Sequence, residues 1–142
     1  MGSIRVLIAD DHPLFTKTLQ ALLADAGQIE VVGTAADGLE AVALCATLCP
    51  DVVLMDLEMP RLDGIGATRR IRDLRLGTAT IVLTASDEPR ASQEAREAGA
   101  VGYLTKDHVV EALVPAIAWA AGERDRLSAD GGADVAGRAR VG

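Results

Sequence analysis

The sequence predicts an α/β domain in which a parallel sheet is covered by helices on both faces. Three observations carry this. Five short apolar runs alternate with five helix-patterned segments, and the connections between them are short. Alternation of this kind requires crossover helices packed against a parallel sheet. The run "DVVLM" is apolar at successive positions, as suits a strand buried on both faces. A chain of 142 residues, 49% of them hydrophobic, is also long enough to bury one sizeable core.

Ile4 to Ala9 reads as the first strand. From Phe15, the positions Phe15, Leu19, Leu22, Leu23 and Ala26 form a helical stripe, with Gly27 as its C-cap. Glu30 to Ala35 is the second strand. Asp37 caps a second helix whose inner face is Leu39, Val42, Ala43 and Ala46, and Pro50 closes it. Asp51 to Met55 is the third strand. The loop "DLEMPRLDG" (Asp56 to Gly64) leads to a third helix over Ile65 to Leu74. Ala79 to Ala85 is the fourth strand. The fourth helix, Glu88 to Ala98, has only Ala91, Ala95 and Ala98 on its apolar face, so it is weakly held. Val101 to Thr105 is the fifth strand. Val109 to Ala121 is the last helix, with Val110, Leu113, Ile117 and Ala120 or Ala121 inward and Pro115 expected to kink it. Residues 1–122 therefore read as one domain. Residues 123–142, Gly-rich and aperiodic, read as a flexible tail.

Composition excludes several classes. No apolar run approaches the ~18 residues of a membrane span, and the N-terminus has no signal-peptide pattern. These features point to a cytoplasmic protein. The net charge of −7 and the single Phe, Tyr and Trp argue against direct nucleic-acid binding. The arginine cluster "RRIRDLR" reads as the wet face of a helix. Cys45 and Cys49 lack the further ligands of a zinc site and read as small buried hydrophobes.

In an open parallel sheet, ligands bind beyond the carboxyl ends of the strands. That rim receives Asp10 and Asp11 from the first strand and Asp56 from the third. Thr84, Ala85 and Ser86 come from the fourth, and Thr105 and Lys106 from the fifth. If the first and third strands are neighbours, three carboxylates share a cleft, where like charges oppose joint ionisation. A hard divalent cation such as Mg²⁺ relieves this with all-oxygen ligands. Lys106 offsets further negative charge. Each residue also has a plainer reading: one of Asp10 and Asp11 as a helix cap, Asp56 as a loop starter, Thr84 as an ordinary strand residue, Lys106 as a solvated charge. The shared offset on four strands makes the combination far more specific than any member. His12 and His108 both follow strand-end acids and could approach the rim, although His12 beside Pro13 reads first as a helix-start residue.

Competing motifs fail. "GIGATR" places Arg69 where a dinucleotide fingerprint has its third Gly, and "GTAADGLE" lacks the Lys and Ser/Thr of a phosphate loop.

"ADDHP", "DVVLMDLEMPRLDG", "LTA" and "GAVGYLTKD" together resemble the receiver domain of bacterial two-component response regulators, over about Ile4 to Gly122. The resemblance implies a flavodoxin-like (βα)5 fold with strand order 2-1-3-4-5. It implies Asp56 as the acceptor of a phosphoryl group from a sensor histidine kinase. It also implies Asp10, Asp11, Asp56 and the backbone carbonyl of Glu58 as ligands of Mg²⁺ or another small divalent cation. Thr84 and Lys106 resemble the pair that binds phosphoryl oxygens, and Tyr103 the aromatic switch. Such a domain is a phosphoacceptor rather than an enzyme, assisting its own phosphorylation and dephosphorylation.

"ADDHP" with "GYLTKD" is most similar to the subfamily with a LuxR-type helix-turn-helix, which implies transcriptional control when joined to an output domain. Residues 123–142 are too few to hold that domain, so DNA binding does not carry over to this chain. The resemblance also implies a homodimer, through the face of helix 4, strand 5 and helix 5 or through helix 1 and helix 5. Pro115, in the last helix, departs from the pattern on that face. The alternative reading is a binding module of the same fold that no longer uses phosphorylation.

Overall fold

The computed structural model describes residues 2–129, with 125–129 described as helical backbone alone. The strands are β1 (Ile4–Ala9), β2 (Ile29–Ala35), β3 (Val52–Asp56), β4 (Ala79–Thr84) and β5 (Gly102–Thr105). The helices are α1 (Pro13–Ala24), α2 (Gly38–Leu48), α3 (Gly64–Leu74), α4 (Pro89–Ala98) and α5 (Val109–Ala129), the last preceded by a 3₁₀ turn over Lys106–His108. The five strands form one parallel sheet in the order β2-β1-β3-β4-β5, the expected doubly wound topology.

Alternate residues of the central strands feed two cores. Val6, Ile8, Val52 and Leu54 pack with Leu19 and Leu23 of α1 and Leu113 and Ile117 of α5. Leu7, Val53 and Met55 face Ala41 and Cys45 of α2 and Ala67 and Ile71 of α3. Central strands buried on both faces explain why "DVVLM" shows no alternation. The fourth helix buries only Ala91, Ala95 and Ala98, as its sequence predicts.

Several local expectations are corrected. The first helix ends at Ala24 with Asp25 as C-cap, so Gly27 lies beyond it. Its N-cap is His12; neither Asp10 nor Asp11 takes that position. Asp37 does cap α2, accepting a hydrogen bond from the Glu40 amide at 2.8 Å. The buried face of α2 is Gly38, Ala41 and Cys45, while Leu39, Ala43 and Ala46 are exposed. "GLEAVALCATL" is apolar almost all round, so its periodicity does not single out a face. Cys49 is exposed at the left-handed end of α2, whereas Cys45 is buried.

In α5 the buried residue is Val109, not Val110, which is 73% exposed. Two adjacent valines fit either phase of the stripe, and the steps to Leu113, Ile117 and Ala120 select the first. Pro115 lies on the exposed side and the helix continues through it. The helix also continues past Gly122 to Ala129, because one exposed Gly costs only ~1 kcal/mol relative to Ala and does not end a helix. The rest of the expected tail lies outside the described residues. The arginines of α3, Arg69, Arg70 and Arg72, are exposed, as expected of a wet face.

Candidate functional site

The sheet register brings the predicted rim together. Ala9 pairs with Met55, Asp56 with Leu83, and Thr84 with Thr105, so four strands end at one level. The backbone leaves β1 at Asp10 and β5 at Lys106 on this rim.

Asp10 is buried and fully engaged. Its Oδ1 accepts a 2.8 Å hydrogen bond from the His12 amide, and its Oδ2 accepts one from Lys106 Nζ at 2.9 Å. Asp56 is equally buried, at 4% exposure, but less well satisfied. Its Oδ1 lies 3.4 Å from Lys106 Nζ, and its Oδ2 has no hydrogen-bond partner. Burial, and next the negative charge of Asp10, push the Asp56 carboxyl up to about 6; the charge and hydrogen bond of Lys106 pull the other way but do not prevail. Asp11 is more open, with its side chain 33% exposed.

Lys106 is held from two sides. Its ammonium bridges the two buried carboxylates and sits 4.5 Å from the centroid of the Phe15 ring. A cation over an aromatic face gains ~0.5–2 kcal/mol when partly desolvated. The sequence assigned Phe15 only to the core stripe of α1; its aromatic identity was the one signal of this second contact. Thr84 is buried, and its hydroxyl donates to the Ser86 carbonyl at 3.0 Å instead of facing the carboxylates. Tyr103 is half-buried, and its hydroxyl is buried without a partner. It lines a groove of about 440 Å³ with Ala85, Ser86, Thr105, His108 and Glu111. Glu58 sits in the β3–α3 loop with its side chain exposed.

Two residues outside the predicted set shape the pocket. Gly64, at the start of α3, packs so closely under the β3–α3 loop that a Cβ there would collide with the Asp56 carbonyl and approach Leu57 Cα to 2.9 Å. His12 enters the cluster itself: its Nδ1 lies 3.0 Å from Asp10 Oδ1, 3.1 Å from Asp11 Oδ1 and 3.8 Å from Asp56 Oδ2. His108 stays outside, with its Nδ1 at 2.6 Å from Thr105 Oγ1.

The donor set fits a divalent cation. Ligand atoms of Asp10, Asp11, His12 and Asp56 all lie within 4.8 Å of one another, and the unpartnered Asp56 Oδ2 is one polar atom a cation would satisfy.

Residues 6–118 match the response regulator receiver domain family. The transcriptional regulatory protein PdtaR of Mycobacterium tuberculosis is 44% identical over 113 residues, 80% of this chain and 54% of that protein. The response regulator UvrY of Escherichia coli is 40% identical over 114 residues, 80% of this chain and 52% of that protein. The chain thus spans about half the length of the curated relatives it matches. A LuxR-family two-component response regulator from Aurantimonas superposes with a TM-score of 0.82 at 35% identity, covering 87% of this chain and 88% of that one. The response regulator domain of Thermotoga maritima CheB gives 0.79 at 34% identity, covering 84% and 97%. Among the described residues, no helix is long and apolar enough to cross a membrane.

Proposed function

Because the chain belongs to the response regulator receiver domain family, we propose that it is a phosphorylatable switch in which Asp56 accepts a phosphoryl group from a sensor histidine kinase. The observation that carries this reading is the state of Asp56: a buried carboxylate, one oxygen unpartnered, beside a lysine bonded to its neighbour.

An oxygen of Asp56 attacks phosphorus, the bond from phosphorus to the donor nitrogen breaks, and the electron pair leaves with the donor imidazole. Attack brings negative charge against negative charge, so the site must supply compensation. Lys106 provides one positive charge, already within 3.4 Å of the nucleophile's carboxylate and confined by Asp10 and Phe15. Asp10, Asp11, Asp56 and the Glu58 carbonyl are suited to hold Mg²⁺, which would neutralise charge on the incoming phosphoryl oxygens. Ala85 next to Thr84 leaves room for the donor.

The Thr84 hydroxyl, engaged with the Ser86 carbonyl, has to turn to reach a phosphoryl oxygen. That turn releases the β4–α4 loop at Ser86, which lines the same groove as Tyr103. The surface that changes is the groove between this loop, β5 and α5, next to the lightly anchored α4. Partner binding or homodimer formation at that surface is the output, with transcriptional control where an output domain is attached.

Incubation with acetyl phosphate and Mg²⁺, followed by intact-mass measurement, tests the assignment. The wild type gains the mass of one phosphoryl group and Asp56→Ala gains none. An unmodified wild type, with the small donor and with histidine kinases alike, overturns the reading.

A further inference from the structure

We propose that His12 Nδ1 is an additional ligand of the acidic pocket, making it a site for borderline divalent transition metals such as Ni²⁺, Co²⁺ or Zn²⁺ as well as for Mg²⁺. The inference rests on the cation-binding reading of the pocket given above.

With metal–ligand bonds of about 2.1 Å, adjacent donors lie about 3.0 Å apart in an octahedron and about 3.4 Å apart in a tetrahedron. His12 Nδ1 lies 3.0, 3.1 and 3.8 Å from oxygens of Asp10, Asp11 and Asp56. These separations suit adjacent donors around one ion; without an ion, Nδ1 is at hydrogen-bond distance from Asp10 Oδ1, so a bound metal would take the place of that hydrogen bond. Acidic clustering alone would not indicate a ligand. The independent sign is Asp56 Oδ2, which is buried, has no hydrogen-bond partner and lies on the His12 side of the pocket.

The imidazole is also placed before any ion arrives. The His12 amide donates to Asp10 Oδ1 at 2.8 Å, and Pro13 begins α1 directly after it. The ring is 65% exposed, so its second nitrogen can keep a proton in solvent once a metal takes the place of the hydrogen bond between Nδ1 and Asp10 Oδ1.

Donor chemistry then sets selectivity. Carboxylate and carbonyl oxygens suit Mg²⁺, whereas an imidazole nitrogen favours ions later in the first transition row. A Mg²⁺ ion, small and strongly hydrated, gains little from the nitrogen. Ni²⁺ or Co²⁺ gains a bond.

Calorimetric titration of the full chain with Mg²⁺ alone and with Ni²⁺ alone, in wild type, His12→Ala and His108→Ala, tests this. The His108 variant removes the other imidazole of the sequence. Ni²⁺ affinity falls at least about tenfold in His12→Ala and is kept in His108→Ala, while Mg²⁺ affinity changes less than about threefold. A second readout needs no variant: Zn²⁺ shifts the Nδ1 ¹⁵N resonance of His12 in the wild type, and leaves that of His108 in place. Equal Ni²⁺ affinity in wild type and His12→Ala, or an unmoved His12 resonance, overturns the ligand assignment while leaving the Mg²⁺ reading intact. A wild type that binds neither ion overturns both.

Discussion

Replacing Asp56 by Asn should stabilise the protein at neutral pH when divalent cations are absent. Burial and the Asp10 charge raise the Asp56 carboxyl from 3.8 to about 6. A raised carboxyl means that the folded state holds its proton more tightly than the unfolded chain does. Stability therefore falls as pH rises from about 4 to about 6 and stays lowered above that window. Above that window the ionised Asp56 costs the fold on the order of 3 kcal/mol. Asn is nearly isosteric with the protonated acid and removes this cost. The favourable pull of Lys106 is already inside the net shift, so it is not counted twice.

The assay is thermal or urea unfolding of wild type and Asp56→Asn in chelator, from pH ~4 to pH ~8. Groups far from the pocket are common to both proteins and cancel in the difference, which then reports Asp56 together with its charge coupling to Asp10 and Lys106. Asp56→Asn should melt about 10 °C higher near pH 7.5 and at nearly the same temperature near pH 4. Excess Mg²⁺ should then raise the wild type more than the variant, narrowing the gap. Equal stability at pH 7.5, or a difference that does not change with pH, would refute the claim that Asp56 is held ionised against its surroundings.

Three further outcomes follow from local packing. Gly64→Ala places a methyl group against the Asp56 carbonyl, so urea unfolding should show a loss of about 2–4 kcal/mol and labelling of Asp56 should slow. Phe15→Leu removes the ring beneath Lys106 and some core packing; a double-mutant cycle with Lys106→Met should isolate a coupling of about 0.5–1 kcal/mol for the cation–ring contact. Native alkylation followed by mass measurement should modify Cys49, which is exposed, and spare Cys45, whose thiol is buried and pushed up to about 12; denaturation should expose both.

The rim was legible because Asp10, Asp56, Thr84 and Lys106 are each fixed by the end of a strand, and strand ends are marked by an abrupt change from apolar to polar residues. Parallel topology then brings them together without further information. His12 was legible only in part, from its place after two strand-end acids, and Phe15 was not legible in the same way. One looked like the start of a helix and the other like part of its core stripe, and both descriptions are correct as far as they go. Their second contacts arise from residues distant in sequence: Phe15 meets a lysine at the far end of the domain, and His12 a carboxylate on the third strand. The buried face of α2 was hidden for the opposite reason, an excess of apolar residues. The length of α5 was missed because Gly122 looked like a terminus, while "ERDRL" after it consists largely of good helix formers.

The distribution of satisfied and unsatisfied atoms also suggests why the switch can be thrown cheaply. Lys106 sits closer to Asp10 than to Asp56, at 2.9 against 3.4 Å, so the least compensated carboxylate is the one proposed to react. Converting that carboxylate to an acyl phosphate removes its own charge but brings in about two negative charges on the phosphoryl oxygens, which Lys106 and a bound cation would have to balance. The Thr84 hydroxyl gives up one carbonyl acceptor, Ser86, and the carbonyl it leaves belongs to an exposed residue that water can serve. The neighbouring helix is held by three alanines. Little is broken on the side that must move, and the new phosphoryl oxygens offer acceptors on the side that reacts. On the proposed reading, a single covalent change in the buried pocket would then be enough to shift the population of the outer surface.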